Sequence, residues 1–70
     1  MVELARGILE QDPCREDATR LVMRAHMLRG DRTAAIRAYQ SCVRALEREF
    51  GLEPLPETQR LYEDARSARR

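Results

Sequence analysis

The sequence predicts an all-α fold of about four helices arranged as antiparallel hairpins, and three observations carry that prediction. Apolar residues recur every three or four positions, the spacing that collects them on one helical face. The β-branched residues are few and never alternate with polar ones, so strands have no support. Gly30, Gly51 and the prolines fall between the periodic runs, where a helix must stop and the chain must turn. The expected helices cover 2–11, 14–29, 32–50 and 57–68 of a single domain spanning 1–70.

The longest run, Asp31 to Gly51, organises the rest. Ala35, Ile36, Tyr39, Cys42, Val43, Leu46 and Phe50 form one stripe, with Arg37, Gln40, Arg44, Glu47 and Arg48 largely outside it. At 1.5 Å per residue the helix is about 30 Å long, a spine that needs neighbours on its apolar face. Gly51 ends it, and Leu52-Glu53-Pro54-Leu55-Pro56 cannot continue it.

The first helix places Leu4, Ala5, Ile8 and Leu9 on a short apolar face, and Gly7 weakens its interior by up to about 1 kcal/mol relative to Ala. Ten residues are too few to be helical alone in water, so this segment must pack on the second helix. Asp12 reads as an N-cap with Pro13 as the first residue of the second helix. That helix carries two adjoining apolar faces, Ala18, Leu21, Val22, Ala25 and Leu28 on one and Met23, His26 and Met27 on the other. It is therefore expected to lie between neighbours on both sides. Gly30 closes it, Asp31 caps the third helix, and the short join forces the two into an antiparallel hairpin. The fourth helix starts at Pro56 with Leu55 in the cap position. Leu55 has no side-chain oxygen to offer, a deficit of about 1 kcal/mol. Thr58, Leu61, Tyr62 and Ala65 make its apolar face.

Composition narrows the function classes. A chain of 70 residues with no Trp and three other aromatics supports a small core, worth about 3–5 kcal/mol net. All 13 basic residues are arginines, 12 acidic residues oppose them, and the net charge of +1 argues against non-specific attraction to nucleic acid or anionic membrane. No apolar run approaches the roughly 18–20 residues of a membrane span, and the N-terminus lacks a signal-peptide pattern. Cys14 and Cys42, far apart in sequence, read as reduced thiols of a cytoplasmic protein.

Neither a catalytic nor a metal site can be assembled from the residue types present. His26 is the sole histidine, and Cys14, His26 and Cys42 lack zinc-ligand spacing. The three glycines stand singly and make no phosphate loop. Capping and helix-dipole stabilisation account for Asp12, Glu16 and Asp17. Arg20, Arg24, Arg37, Arg44 and Arg48 form basic strips on exposed faces, but Glu47 and Glu49 interrupt them and no recognition helix is evident. The reading is a non-enzymatic protein without cofactor, metal or direct nucleic-acid contact. Arg20, Met23, Arg24, His26 and Met27 are its candidate partner surface.

Pro13 to Gly30 is 17 positions, Gly30 to Ala35 is 5, and Ala35 to Tyr39 is 4. This spacing resembles a tetratricopeptide (TPR) repeat, with proline at the join, glycine at the inner turn, and a small residue then an aromatic on the second helix. Cys42 continues the line. His26 stands where an aromatic is usual, and the third helix runs past the point where the next proline is expected. The overrun carries a second resemblance: Tyr39, Leu46, Glu49, Gly51, Glu53, Pro54, Pro56, Glu57, Thr58, Leu61, Tyr62 and Glu63 together. From about Leu4 to Glu63 the chain resembles the bacterial transcriptional activator domain of SARP-type regulators, with Leu55 where members often carry Ser. The resemblance implies a TPR-like array, a fragment of a right-handed superhelix matching the C-terminal half of the domain. It also implies regulation of transcription through protein contacts. Its partners would be a DNA-binding domain in the same protein, RNA polymerase or a sister protomer. A generic TPR-type scaffold that binds a peptide or partner helix, unrelated to transcription, is the alternative. Pro13, Gly30, Ala35, Tyr39, Cys42, Leu46, Phe50, Gly51, Pro54, Leu61 and Tyr62 are the expected packing and turn residues. So short an array leaves apolar ends uncovered, which predicts pairing into a homodimer.

Overall fold

The computed structural model describes residues 2–67 and contains four α-helices: α1 (Val2–Gln11), α2 (Glu16–Leu28), α3 (Arg32–Phe50) and α4 (Pro56–Ser67). The chain is an all-α array of the TPR-like kind. α2 packs on each of the other three helices, α4 packs on α2 and α3, and α1 touches α2 alone. Two helix layers with axes about 10 Å apart, each of about 2.3 Å Cα radius, would be about 15 Å thick. The shortest dimension of the molecule, 16 Å, agrees.

The two apolar faces of α2 meet different neighbours. Ala18 and Val22 pack with Ala5, flanked by Ile8, Leu9 and Leu21. Met23 packs with Ala35, Leu61 and Ala65, flanked by Met27, Ile36, Tyr39 and Tyr62. Ala38 lies against both groups. Among the described residues half of the ten buried apolar ones are alanines, so the helices approach closely and little side-chain volume separates them. Tyr39 and Tyr62 fill the wider space between α3 and α4 as a parallel stack, with ring centroids 4.2 Å apart and planes 8° from coplanar.

The ends of the hairpin follow their capping residues. Asp31 accepts a hydrogen bond from the Ala34 N–H (3.1 Å) and starts α3. At the end of α2, Gly30 adopts φ +76°; its N–H bonds to the Met27 carbonyl (3.0 Å) and the Asp31 N–H to that of His26 (2.8 Å). That pair of bonds is the Schellman arrangement. Gly51 ends α3 with φ +65°.

Three details differ from the sequence expectation. α2 begins at Glu16, not at 14, because Asp12 is used for a turn: its carboxylate accepts from the Cys14 N–H (3.2 Å) and its carbonyl from the Arg15 N–H (3.1 Å). Pro13 is thus a turn residue, and Arg15 at the head of α2 provides no side-chain cap. α2 stops at Leu28, which is 89% exposed and lies on no core face. Leu4 and Phe50, at the outer ends of their stripes, are 64% and 65% exposed. α4 starts at Pro56, as the Leu55 cap position implies and within one residue of the expected 57, and its expected last residue, Ala68, lies outside the described residues.

Candidate protein-interaction surfaces

About three-quarters of the way along the chain, the segment 49–57 leaves α3 and enters α4 in an exposed, hydrogen-bonded bend. Gly51 turns it in the left-handed conformation that glycine reaches without penalty, its N–H bonded to the Glu47 carbonyl (3.0 Å). Pro54 is buried and its carbonyl accepts from the Gln59 side-chain amide (2.7 Å). The Leu55 N–H donates to the Glu16 carboxylate on α2 (2.9 Å), and the buried Thr58 hydroxyl donates to the same oxygen (2.6 Å). Arg20 donates to the Thr58 hydroxyl (2.8 Å) and lies 3.7 Å from the Glu57 carboxylate. The Leu55 carbonyl accepts from both the Thr58 and Gln59 N–H groups (3.0 Å each). A carboxylate from α2 therefore ties the start of α4 to α2.

This clamp relocates several residues assigned from sequence. Glu16 binds across to α4, so its role exceeds dipole stabilisation within α2. Asp17 forms a two-point ion pair with Arg15 (3.0 and 2.8 Å) and accepts from the Ala18 N–H (2.8 Å). The Arg15 guanidinium, with help from that N–H, holds the Asp17 carboxyl down at about 2. Arg20 does not lie on an exposed face: its side chain is 13% exposed and committed to the clamp.

Of the five residues expected to form a partner surface, Met23 is fully buried, His26 is 7% exposed, and Arg20 is held by Thr58 and Glu57. Met23 is core because α4 covers that face of α2 through Leu61 and Ala65. The His26 Nδ1 faces the Arg29 guanidinium (2.9 Å); arginine can only donate, so this nitrogen accepts. Arg24 and Met27 remain accessible and, with Leu28, line a shallow depression.

The packing residues divide similarly. Ala35, Cys42, Leu46, Pro54 and Leu61 are buried, Tyr39 and Tyr62 stack, Gly30 and Gly51 have positive φ, and Pro13 and Phe50 are exposed. Burial raises the Cys42 thiol, and Cys14 is half-buried in the turn before α2. Among the described residues no three His, Cys, Asp or Glu side chains converge on a metal-sized position, and none of the helices is long and apolar enough to cross a membrane.

What the sequence reading missed is the exposure of the bend. Phe50, Leu52 and Leu55 are 65%, 57% and 52% exposed within six residues, and Glu49, Glu53 and Glu57 alternate with them. Three large apolar residues in a short proline-bounded loop are the signal that could have singled it out.

A family model described as the bacterial transcriptional activator domain matches residues 1–66. The chain belongs to that family. No curated protein and no solved structure matches it. In this bacterial transcriptional activator domain, the stretch that most distinguishes the chain from a generic helical repeat, Glu49 to Glu63, is also the exposed bend and the clamped start of α4.

Proposed function

We propose that this activator domain works as the regulatory module of a SARP-type bacterial transcription regulator in the cytoplasm, by protein–protein contact and without catalysis. Its partners are RNA polymerase, a DNA-binding domain in the same protein or a sister protomer. The observation that supports contact is the 49–57 bend, three large apolar side chains held out to solvent on a backbone that is already ordered. Ordering costs are paid in the fold, so a partner gains the apolar burial with little entropic loss. Direct DNA contact is disfavoured, since the exposed Arg37, Arg44 and Arg48 share their helix with Glu47 and Glu49, and Arg48 lies 3.5 Å from Glu49.

A transcription reporter driven by the regulator that carries this domain tests the reading. Leu52→Ser with Leu55→Ser is expected to lower activation several-fold while circular dichroism of the purified chain stays unchanged. Full activation by that variant, or a salt-sensitive nanomolar shift of duplex DNA by the purified chain, would reject it.

A further inference from the structure

The bend has the properties of an inserting element, and the same chain carries a groove with matching properties. Along 51–56, Gly51, Leu52 and Leu55 have their N–H groups bonded, and Pro54 and Pro56 have none. Only Glu53 keeps an N–H without a hydrogen bond to a described residue. Burying this backbone therefore strands almost no donor, a condition most loops fail.

The groove lies between α1 and α3, whose backbones do not approach closely, and Thr19 of α2 lines it between them. It has a volume of about 350 Å³ over a floor of Leu9 and Ala38, with Thr19 and Cys42, each 1% exposed, also lining it. Arg6 stands on the α1 rim and Ser41 on the α3 rim, where the Arg44 guanidinium reaches the Ser41 hydroxyl (3.5 Å). Arg37 and Arg48 continue the same helical stripe one turn to either side. Glu10 is the one carboxylate lining the groove, and Arg6, Arg37 and Arg44 form no ion pair among the described residues. An apolar floor with a basic rim suits an apolar insert flanked by carboxylates.

Position favours reciprocity. The Leu55 N–H is bonded to Glu16 at the start of α2, and Pro13, three residues earlier, lines the groove, so the two features lie near the same end of the bundle. The bend is pinned on the α4 side of α2 and cannot reach the groove of its own chain. Two copies related by a two-fold axis can each place the bend of one in the groove of the other.

We propose that this chain pairs with a second copy of itself, the 49–57 bend of each seated in the α1/α3 groove of its partner, Leu52 and Leu55 on the floor and Glu53 against the arginine rim. The proposal rests on the protein-contact reading above and names the partner for the same bend. Two small patches of this kind make a weak, concentration-dependent dimer.

Sedimentation equilibrium of the full chain at rising concentration tests it. The wild-type chain is expected to dimerise. Leu52→Ser with Leu55→Ser, Arg6→Glu with Arg44→Glu, and Glu53→Lys are each expected to raise the dissociation constant about tenfold or more, with unchanged circular dichroism. Mixing the Arg6→Glu/Arg44→Glu chain with the Glu53→Lys chain is expected to restore pairing, because both contacts of the mixed dimer then have opposite charges. A wild-type chain that stays monomeric to about 1 mM, a dimer indifferent to all three variants, or a mixture that fails to recover would overturn the proposal. If the wild-type chain stays monomeric while Leu52→Ser/Leu55→Ser still abolishes reporter activation, the pairing is wrong and the protein-contact reading stands.

Discussion

The Thr58 hydroxyl donates a 2.6 Å hydrogen bond to the Glu16 carboxylate, joining α4 to α2 across 42 positions of sequence. Glu16 is half-buried, Thr58 is fully buried, and the same carboxylate oxygen also receives the Leu55 N–H. Hydrogen bonds to a charged group contribute about 1.5–3 kcal/mol, and a buried hydroxyl left unpaired loses a similar amount. Glu16→Ala is expected to destabilise the chain by about 2 kcal/mol in urea unfolding. Thr58→Val keeps the shape but removes the hydroxyl, and its effect should be less than additive with Glu16→Ala in a double-mutant cycle. Simple addition of the two costs would mean that the clamp does not hold α4.

The same substitution should have opposite signs at two glycines. Gly7 has ordinary helical geometry within α1, and an added Cβ would meet no atom within 4 Å. Gly7→Ala is expected to raise stability by about 0.5–1 kcal/mol. Gly51 is equally uncrowded but sits at φ +65°, where an L side chain costs about 1–2 kcal/mol. Gly51→Ala is expected to lower the thermal midpoint while Gly7→Ala raises it, a comparison that differential scanning calorimetry makes directly.

The two thiols should be distinguishable. Burial raises both thiols, but Cys42 is 1% exposed while Cys14 is half-buried in the α1–α2 turn. An alkylating reagent at neutral pH is expected to modify Cys14 first, with Cys42 reacting only when the helices around it open. Peptide mass spectrometry over time reads the order, and equal rates would contradict the burial of Cys42.

Acid should act on the head of α2. The Arg15 ion pair and the Ala18 N–H lower the Asp17 carboxyl from its ordinary 3.8 to about 2. A carboxyl lowered on folding contributes stability that is fully present above the unfolded value and is lost as pH falls toward the folded one. The difference in stability between wild type and Asp17→Asn is therefore expected to be constant above about pH 5 and to shrink between about pH 4 and 2. A difference that grows on acidification would reverse the assignment. Arg15 and Asp17 are both solvent-exposed, so added salt should reduce the effect.

The helices were legible because their signals are local. The stripe of Ala35, Tyr39, Cys42 and Leu46, the cap at Asp31 and the stops at Gly30 and Gly51 each act within a few residues, and α3 occupies its expected span. The two faces of α2 were visible as well, since periodicity alone reports that both must be covered. Asp12 misled because an aspartate before proline suits a turn as well as a cap, and the Cys14 N–H took its carboxylate. The interaction surface was the least legible part. Met23 and Arg20 are placed by α4, whose position depends on Glu16 meeting Leu55 and Thr58 far along the chain. Nothing at positions 16 or 20 alone announces that meeting.

α1 touches α2 and no other helix, while α2 is held from three sides. In an array of nearest-neighbour contacts, an element with a single interface opens at the lowest free energy. The amides of α1 should exchange with solvent well before those of α2 and α3, by a sub-global opening that leaves the α2–α3–α4 unit folded. One wall of the α1/α3 groove is thus the domain's softest helix, and a ligand seated there would slow hydrogen exchange at a site remote from the clamp.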